Sequence, residues 1–310
     1  MTPKVIIPGG SGFLGSSLAA HFANLGWDVV ILSRSIKPDK RLVRFVHWDG
    51  RTVGSWAAEL EGSTAVINLA GRSVACLDNE INRKAILESR VSAVDAITAA
   101  LNTCSNPPKI LIQASTLALY GNKGEVVCTE ESPHADDFFA EVTKAWENAF
   151  FKAQYKSNPR LVAFRIGFIL GAKGGALAPL SLLTRLFLGG TTGSGKQYIS
   201  WAHINDFCRM CQWAIQTDSA RGQYNACAPT PVTNKVFMKQ LRQALNRPWS
   251  PPAPAWAVTL ISKTVMRVNP ELALKGRACL PERLLKEGFS FNYTQLLETF
   301  KDLLITQKNV

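Results

Sequence analysis

The sequence predicts an α/β fold, a doubly wound parallel sheet followed by a smaller, mainly helical C-terminal lobe. Short runs rich in Val, Ile and Leu alternate with amphipathic helical segments, an order typical of a parallel sheet covered by helices on both faces. After Gly171 the alternation stops, and connections rich in Gly and Pro separate the helical segments. With 310 residues, 46% of them hydrophobic, the chain can form one large domain or two lobes with a sizeable core.

Each element follows from its periodicity. Short apolar runs between turn residues predict strands, and apolar residues three or four positions apart, as at Leu14, Leu18 and Phe22, predict helices. Strands are expected at residues 5–7, 27–34, 43–48, 64–71, 110–116, 161–170 and 222–227. Helices are expected at residues 14–25, 55–61, 79–101, 137–155, 177–188, 205–217, 234–245 and 293–305.

A glycine-rich turn joins the first strand to the first helix. Gly9, Gly12 and Gly15 follow the β-rich run at 5–7, and the helical pattern begins at Leu14. Glycines permit a sharp turn and the close approach of a pyrophosphate, which the free N–H groups and positive dipole end of the helix attract. The alternative is an ordinary glycine-rich turn. The order of strand, glycines and helix favours dinucleotide binding and a Rossmann-like sheet.

The tip of the second strand predicts which dinucleotide binds. An acidic residue there favours the ribose 2′-hydroxyl of NAD, whereas an arginine accommodates the 2′-phosphate of NADP. The tip reads Ser33-Arg34-Ser35, with Lys37 close behind, and no Asp or Glu occurs between Ser33 and Asp39. We therefore expect NADP(H); the alternative is that Arg34 is a solvated loop residue.

Composition argues against several other classes of protein. The net charge is +12, and residues 235–310 hold twelve Lys/Arg against five Asp/Glu, but no basic run is interleaved with aromatic residues. Direct nucleic-acid binding is therefore the weakest alternative. No apolar run approaches the ~18 residues of a membrane span, and the N-terminus has no signal-peptide pattern. We expect a cytoplasmic protein with neither a nucleic-acid nor a membrane partner.

Two motifs that resemble metal or nucleotide sites are interpreted as structural. The seven scattered cysteines indicate reduced thiols, and the pair Cys208/Cys211 lies on a predicted helix without a second ligand pair, so no metal is expected. Residues 189–197 nearly match a phosphate-binding loop, but Gln197 stands where Ser or Thr should be, and a helix rather than a strand precedes them. This inverted context excludes nucleotide hydrolysis.

A set of motifs covers nearly the whole chain. They are the glycine turn, Ser33-Arg34, Asn68-Leu-Ala-Gly71, Glu88-Ser-Arg90, Ala114-Ser-Thr116-x-x-x-Tyr120-Gly121, Phe138 to Glu147, Gly193 to Asp206 and Pro281 to Phe291. Together they resemble the extended short-chain dehydrogenase/reductase superfamily, and more narrowly its epimerase-like (NAD-dependent epimerase/dehydratase-like) branch with a C-terminal helical domain of unknown function. The resemblance implies a Rossmann domain over 1–171, to which 203–228 returns, and a substrate lobe formed by 172–202 and 229–310.

The resemblance also implies roles for individual residues in binding NADP(H). The pyrophosphate would be held by Gly9, Gly12, Phe13, Leu14 and Gly15. The remaining contacts would come from Ser33 and Arg34 to the 2′-phosphate, Leu69 and Ala70 to the adenosine and ribose, Arg90 from the following helix, and Ile169 near the nicotinamide.

The general reaction of the superfamily uses a tyrosine, with a lysine four residues later, to move a proton while the nicotinamide moves a hydride. None of the five tyrosines in this chain has a lysine at that spacing. If the family pattern is aligned on Glu147, Phe139 and Thr143 occupy the positions of the tyrosine and the lysine. If it is aligned on Lys144, Ala140 occupies the position of the tyrosine. Either way the usual acid/base pair is missing.

Two hydroxyl groups remain as catalytic candidates. Thr116 occupies the position that hydrogen-bonds the reacting carbonyl in the family; its alternative is an ordinary strand-end threonine. Tyr120 is the nearest replacement phenol, with a structural role at the strand exit as its alternative, and Lys144 could support it only if that helix face turned inward. His203, with Asp206 three residues later, is expected to brace the start of a helix.

The leading hypothesis is an NADP(H)-binding oxidoreductase of the epimerase-like branch, acting by hydride transfer on a small oxygenated or nucleotide-sugar substrate. The rival is a non-catalytic NADPH-sensing regulatory protein. The expected partner is a small-molecule substrate, and a homodimer is the candidate assembly.

Overall fold

The computed structural model describes residues 2–35, 37–40 and 42–305. In chain order, the strands of these ranges are β1 Lys4–Pro8, β2 Asp28–Ser33, β3 Val43–His47, β4 Ala65–Asn68, β5 Ile110–Thr116, β6 Val127–Cys128, β7 Arg160–Ile166, β8 Phe168–Leu170, β9 Tyr198–Ile199, β10 Trp201–His203, β11 Gly222–Ala226, β12 Val232–Thr233 and β13 Ala278–Cys279. The helices are α1 Phe13–Asn24, α2 Glu80–Leu101, α3 Phe138–Lys152, α4 Leu177–Arg185, α5 Ile204–Gln216, α6 Asn234–Ala244, α7 Ala255–Ile261, α8 Glu271–Leu274, α9 Glu282–Lys286 and α10 Leu296–Leu304.

The main sheet has seven parallel strands in the order β11-β7-β5-β4-β1-β2-β3. The chain moves outward from β1 to β3 and then crosses back to β4 on the other side of β1, so the strand order reverses between β1 and β4. In such sheets ligands bind beyond the carboxyl ends of the strands at this point. The doubly wound Rossmann-like sheet is confirmed, and the predicted glycine turn borders the crevice.

Alternate side chains of β1 enter two separate cores. Val5 and Ile7 pack with α1 and α5 on one face, and Ile6 packs with α2 and α3 on the other, because successive strand residues point to opposite faces. Cys208 and Cys211 are buried free thiols of α5 within the first core. Their predicted role in helix packing is confirmed.

Two predicted elements differ from the structure. The expected strand 161–170 is two strands, because Gly167 lies so close to the carbonyl of Ser200 that a Cβ would overlap it. The chain turns there, and β8 leaves the main sheet to pair with β10. The expected helix 55–61 is a short 3₁₀ helix, Ser55–Leu60, which fits the short pieces in which 3₁₀ geometry occurs.

The C-terminal region is mainly helical, as predicted. α10 lies against α6, where the rings of Phe237 and Phe300 meet edge to face with centroids 5.0 Å apart. Two short strand pairs, β9 with β12 and β6 with β13, link segments that are distant in sequence. In the ranges that the structure describes, none of the helices is both long enough and apolar enough to cross a lipid bilayer.

Candidate cofactor and active site

Gly9 and Gly15 bring the glycine turn into contact with its neighbours. Gly9 has φ +74°, and a Cβ there would lie 2.8 Å from the Cα of Ala70 at the end of β4. A Cβ on Gly15 would overlap the backbone of Gly10. The turn is therefore packed against β4 on one side and against α1 on the other, which only glycines permit.

Gly12 differs from both, because it faces open space. It is the N-cap of α1, with φ −84° and ψ −174°, and a Cβ there would meet no atom of the described residues within 4 Å. Within the described residues, no side chain caps this helix end, and the amides of the first turn have no intrahelical acceptor. The turn is thus an open cradle of N–H groups at the positive end of a helix dipole, which fits a diphosphate.

The ring of Phe13 fills a socket made by the segment after β8. A Cβ on Gly171 or Gly174 would collide with this ring, and one on Gly175 would lie 2.9 Å from it. Gly175 also lies close to the carbonyl of Ile169. The structure therefore brings together two of the predicted cofactor residues, Phe13 and Ile169, through a glycine segment that sequence reasoning left without a role.

The tip of β2 presents the predicted 2′-phosphate site. Ser33 is buried, and its Oγ accepts a hydrogen bond from the amide of Ser35 at 3.2 Å. Arg34 is exposed and forms no hydrogen bond or ion pair with the described part of the chain. Its guanidinium is therefore available to an external anion.

Arg90 lies beside the end of β4. Its Nη1 donates to the carbonyls of Arg72 and Ile86, each at 3.0 Å, and its Cζ lies 4.8 Å from the ring centroid of Trp146. Burial lowers the pKa of Arg90 to about 10. A Cβ on Gly71 would lie 3.3 Å from its Cζ, so Arg90 sits against the strand end that was predicted to face the cofactor.

Thr116 is the last residue of β5, and its hydroxyl already accepts one hydrogen bond within the chain. The Oγ1 accepts a hydrogen bond from the amide of Ala118 at 3.1 Å and caps the 3₁₀ turn Leu117–Tyr120. The residue is half-buried. Because a hydroxyl can accept and donate at once, its proton is free for an oxygen outside the chain.

Tyr120 is held in a buried polar network. Its hydroxyl donates to Oδ1 of Asn225 at 2.8 Å and accepts from Nη1 of Arg165 at 2.9 Å. Arg165 in turn forms two 2.9 Å hydrogen bonds with Glu147, whose Oε1 also accepts from Ser115. Burial raises the pKa of Tyr120. An acid role for Tyr120 stays a prediction, and this geometry favours the alternative, a structural role at the strand exit.

The α3 residues at the position of the family pair supply no replacement base. Lys144 forms ion pairs with Glu141 at 2.8 Å and Asp136 at 3.3 Å, so it does not support Tyr120. Ala140 and Thr143 are buried, and the Thr143 hydroxyl donates to the carbonyl of its own helix four residues earlier.

His203 braces the start of α5, as predicted. Its Nδ1 accepts from the amide of Asn205 at 3.0 Å, and its Nε2 lies 3.1 Å from Oδ2 of Asp302. The ring stacks on Tyr293 with centroids 3.7 Å apart. Burial lowers the pKa of His203, with Asp302 acting in the opposite direction.

The loop at 189–197 uses its amides within the protein. The amides of Gly193 and Gly195 donate to the carbonyls of Ala253 and Thr192. Helix α4 precedes this loop and strand β9 follows Gln197, so the inverted order of elements that the sequence predicted is confirmed.

Several residues around the site were missed by sequence reasoning. Arg165 and Asn225 lie on strands assigned only to the sheet, and polar side chains in such buried strands were the available signal. Trp146, whose ring lies under the Arg90 guanidinium, was noted only as part of a motif.

Two family models match the chain. Residues 5–227 match the model of the NAD dependent epimerase/dehydratase family, and residues 253–303 match a domain of unknown function, DUF1731. The chain is 32% identical over 310 residues to the epimerase family protein YfhF of Bacillus subtilis (strain 168), which covers 99% of this chain and 100% of that protein.

Two solved structures have a similar fold and sequence. The human epimerase family protein SDR39U1 (isoform2), crystallised with NADPH, has a TM-score of 0.85 and 30% identity over 97% of this chain and 98% of that one. A nucleoside-diphosphate sugar epimerase of Corynebacterium glutamicum has a TM-score of 0.77 and 30% identity, covering 98% of this chain and 58% of that one.

Proposed function

The chain belongs to the NAD dependent epimerase/dehydratase family, and we propose that it is an NADP(H)-dependent oxidoreductase that transfers a hydride to or from a small oxygenated substrate. The observation that carries the proposal is the cradle at Gly12. Its Cα faces open space at the start of α1, while Gly9 and Gly15 are packed against backbone. A turn built this way fits a diphosphate better than it fits a purely structural connection.

The residues around the cradle favour NADP(H) over NAD(H). Arg34 is exposed at the tip of β2, where a guanidinium would bind the 2′-phosphate. Arg90 would reach the cofactor from α2, and Leu69 and Ala70 would face its adenosine half. The human relative of similar fold was crystallised with NADPH, which supports the same choice here.

The chemistry at the substrate depends on Thr116. Bound NADPH would supply the hydride for a carbonyl carbon, and a proton must reach the carbonyl oxygen. The Thr116 hydroxyl already accepts from the amide of Ala118, and it can donate its own proton at the same time. Thr116 would donate a hydrogen bond to the substrate oxygen and orient it, as a preorganised donor does in a transition state with developing negative charge.

A second candidate is favoured by the missing acid/base pair. No tyrosine is followed by lysine at the family spacing, Lys144 is paired with carboxylates, and the Tyr120 hydroxyl is engaged with Asn225 and Arg165. A protein with the cofactor cradle but without this pair is suited to sensing NADPH without turnover.

The cytoplasmic location, the domain bounds and the homodimer stay predictions.

Calorimetry with NADPH and NADH tests the cofactor proposal. We expect NADPH to bind about tenfold or more tightly than NADH, and Arg34→Ala to remove this preference while leaving NADH binding unchanged. Equal affinities for the two nucleotides, unaffected by Arg34→Ala, would contradict the NADP assignment. No heat with either nucleotide would contradict both candidate functions.

Turnover separates the two candidates. NADPH fluorescence is followed with a panel of carbonyl compounds and nucleotide sugars; the latter are included because the Corynebacterium glutamicum relative is named as an epimerase of such compounds. An enzyme should consume NADPH with at least one compound, and Thr116→Val should lower kcat about a hundredfold. Thr116→Ser, which keeps the hydroxyl, is the matched control. Tight NADPH binding with no consumption across the panel would favour the sensor.

A further inference from the structure

Three of the seven cysteines meet in one buried cluster. Cys128, Cys227 and Cys279 pack together with Leu117 and Tyr120, and each of the three cysteines is at most 1% exposed. The sequence predicted scattered, reduced thiols, because these residues come from segments far apart in the chain. The seven cysteines are free thiols in the structure, so folding gathers three reduced sulfurs at one place.

Cys128 and Cys279 lie directly opposite each other in the short strand pair of β6 and β13. The strands are parallel, with Ala278 paired to Val127 and Cys279 paired to Cys128. The amide of Leu280 donates to the carbonyl of Cys128 at 2.9 Å, which fixes this register. Neighbouring strands lie about 4.7–4.9 Å apart. The Cα atoms of the two cysteines are therefore at a spacing that a disulfide accepts, about 4.4–6.8 Å.

The thiols of these two paired residues also contact each other. A hydrogen bond joins the side chains of Cys128 and Cys279. The thiol of Cys227 is directed elsewhere, because it donates to the backbone carbonyl of Cys279 at 3.3 Å. Among the three sulfurs, those of Cys128 and Cys279 are thus the aligned pair, and a bond between them needs no change in strand pairing.

The surroundings make Cys128 the more acidic of the two thiols. The hydrogen bond with Cys279 lowers the pKa of Cys128 most, burial opposes it, and the cations of Lys123 and Arg277 lower it further. The same hydrogen bond and burial raise the pKa of Cys279. Because the thiolate is the nucleophile in thiol oxidation, Cys128 is the side chain that reacts first, with a protonated Cys279 beside it.

The pair lies just behind an exposed turn. Residues 124–127, which lead into Cys128, are all exposed, and the exposed fractions of Val126 and Val127 are 63% and 51%. Cys128 is the first buried residue after this turn. Local opening of a strand of only two residues is enough to admit a molecule as small as hydrogen peroxide.

We propose that Cys128 and Cys279 form a redox modification site, which a peroxide converts reversibly to an intramolecular disulfide. The crosslink would join β13 of the C-terminal region to β6, next to the turn Leu117–Tyr120 that Thr116 caps. The inference goes beyond the proposed function and does not depend on it, since the chemistry involves only the two thiols and the oxidant.

The oxidation proceeds in two steps with balanced atoms and electrons. The Cys128 thiolate attacks one peroxide oxygen, the O–O bond breaks, and the released hydroxide takes up the proton that the thiol had lost. The sulfur of Cys279 then attacks the resulting sulfenic acid, the S–O bond breaks, and the Cys279 proton leaves with that oxygen. Two thiols and one hydrogen peroxide thus give one disulfide and two waters, and a dithiol reductant reverses the change.

The test treats the full-length protein with hydrogen peroxide under native conditions. The protein is reduced, freed of reductant and oxidised, and the remaining thiols are blocked before proteolysis without reductant. We expect free thiols to fall from seven to five, one peptide pair joined through Cys128 and Cys279, and recovery of both thiols with dithiothreitol. The midpoint of thermal unfolding should rise by roughly 5 °C or more, because the crosslink closes a loop of more than a hundred residues.

Serine variants assign the role of each sulfur. Cys128→Ser and Cys279→Ser should each abolish the crosslink and the thermal shift. In Cys279→Ser, dimedone, which traps sulfenic acids, should label Cys128. Cys227→Ser is the matched control, since it removes a buried thiol of the same cluster, and it should crosslink as the parent protein does. If a variant does not fold, the thiol count and the peptide map of the parent protein decide.

Several results would overturn the inference. Seven free thiols after native treatment, or a crosslink that forms only in denatured protein, would show that folding does not align the two sulfurs. A disulfide through Cys227 would assign the site to another pair. Oxidation of Cys128 to sulfinic acid without a crosslink would also contradict a paired site, because Cys279 would then not trap the sulfenic acid.

Discussion

Gly12→Asp should stabilise the fold and strongly weaken NADPH binding, two opposite effects of one carboxylate. Gly12 has φ −84° and ψ −174°, a conformation that any L-residue adopts at an N-cap, and a Cβ there meets none of the described atoms within 4 Å. In the part of the chain that the structure describes, no side chain caps α1. An aspartate can accept from the amides of Leu14 or Gly15, and its charge lies at the positive end of the helix dipole.

The two effects differ in size as well as in sign. Capping and the charge–dipole interaction should raise the free energy of unfolding by about 0.5–1 kcal/mol. The same carboxylate would stand roughly 4 Å from a diphosphate bound in the cradle, where each pair of like unit charges costs about 4 kcal/mol at an effective dielectric constant of 20. That repulsion corresponds to about a thousandfold loss of NADPH affinity.

Thermal unfolding without nucleotide and calorimetry with NADPH measure the two effects separately. Gly12→Asn is the matched control, since it has the same shape and capping ability without the charge. The difference between the two variants isolates the electrostatic part. If Gly12→Asp binds NADPH within about threefold of the parent protein, the diphosphate does not lie at the start of α1 and the reasoning is refuted.

Three further predictions concern stability. Gly15→Ala should lower the free energy of unfolding by about 1–3 kcal/mol in urea denaturation, because its Cβ overlaps the backbone of Gly10; an unchanged midpoint would contradict this packing. Glu147→Gln should cost about 3–5 kcal/mol by leaving the buried charge of Arg165 without its carboxylate, and pairing Glu147→Leu with Arg165→Met should restore much of that loss. Burial lowers the pKa of His203, so only the unfolded chain takes up this proton near the ordinary value of about 6.5. The free energy of unfolding should therefore fall as the pH is lowered from about 7 to about 5, and His203→Asn, which can still cap α5, should flatten that slope; identical slopes would contradict the assignment.

The parallel sheet and the glycine turn were predictable because their signals are local. Val5, Ile6 and Ile7, three glycines and an amphipathic helix are contiguous, so periodicity and turn chemistry suffice to identify them. The break at Gly167 was not predictable, since its cause is the carbonyl of Ser200, more than thirty residues away in sequence. The carbonyl of a distant residue leaves no trace in the local hydrophobic pattern.

The same distinction between local signals and long-range contacts applies to the candidate site. Arg34 could be placed at a strand tip from sequence alone, because the strand that precedes it is a clear apolar run. The network around Tyr120 could not be foreseen, since Arg165 and Asn225 come from strands far along the chain. The missing tyrosine–lysine pair was evident from sequence, whereas the engagement of Lys144 with two carboxylates needed the folded geometry.

The contact between Phe13 and the three glycines after β8 limits how the protein can move. A segment as glycine-rich as Gly171 to Gly175 would ordinarily serve as a hinge, but here it clasps an aromatic ring anchored in the first turn of α1. Swinging it away would expose apolar surface worth about 1–2 kcal/mol, roughly half of a fully buried phenylalanine. Substrate binding should therefore leave the contact between Phe13 and these glycines intact. The diphosphate cradle and the start of α4 should then move together as one rigid unit.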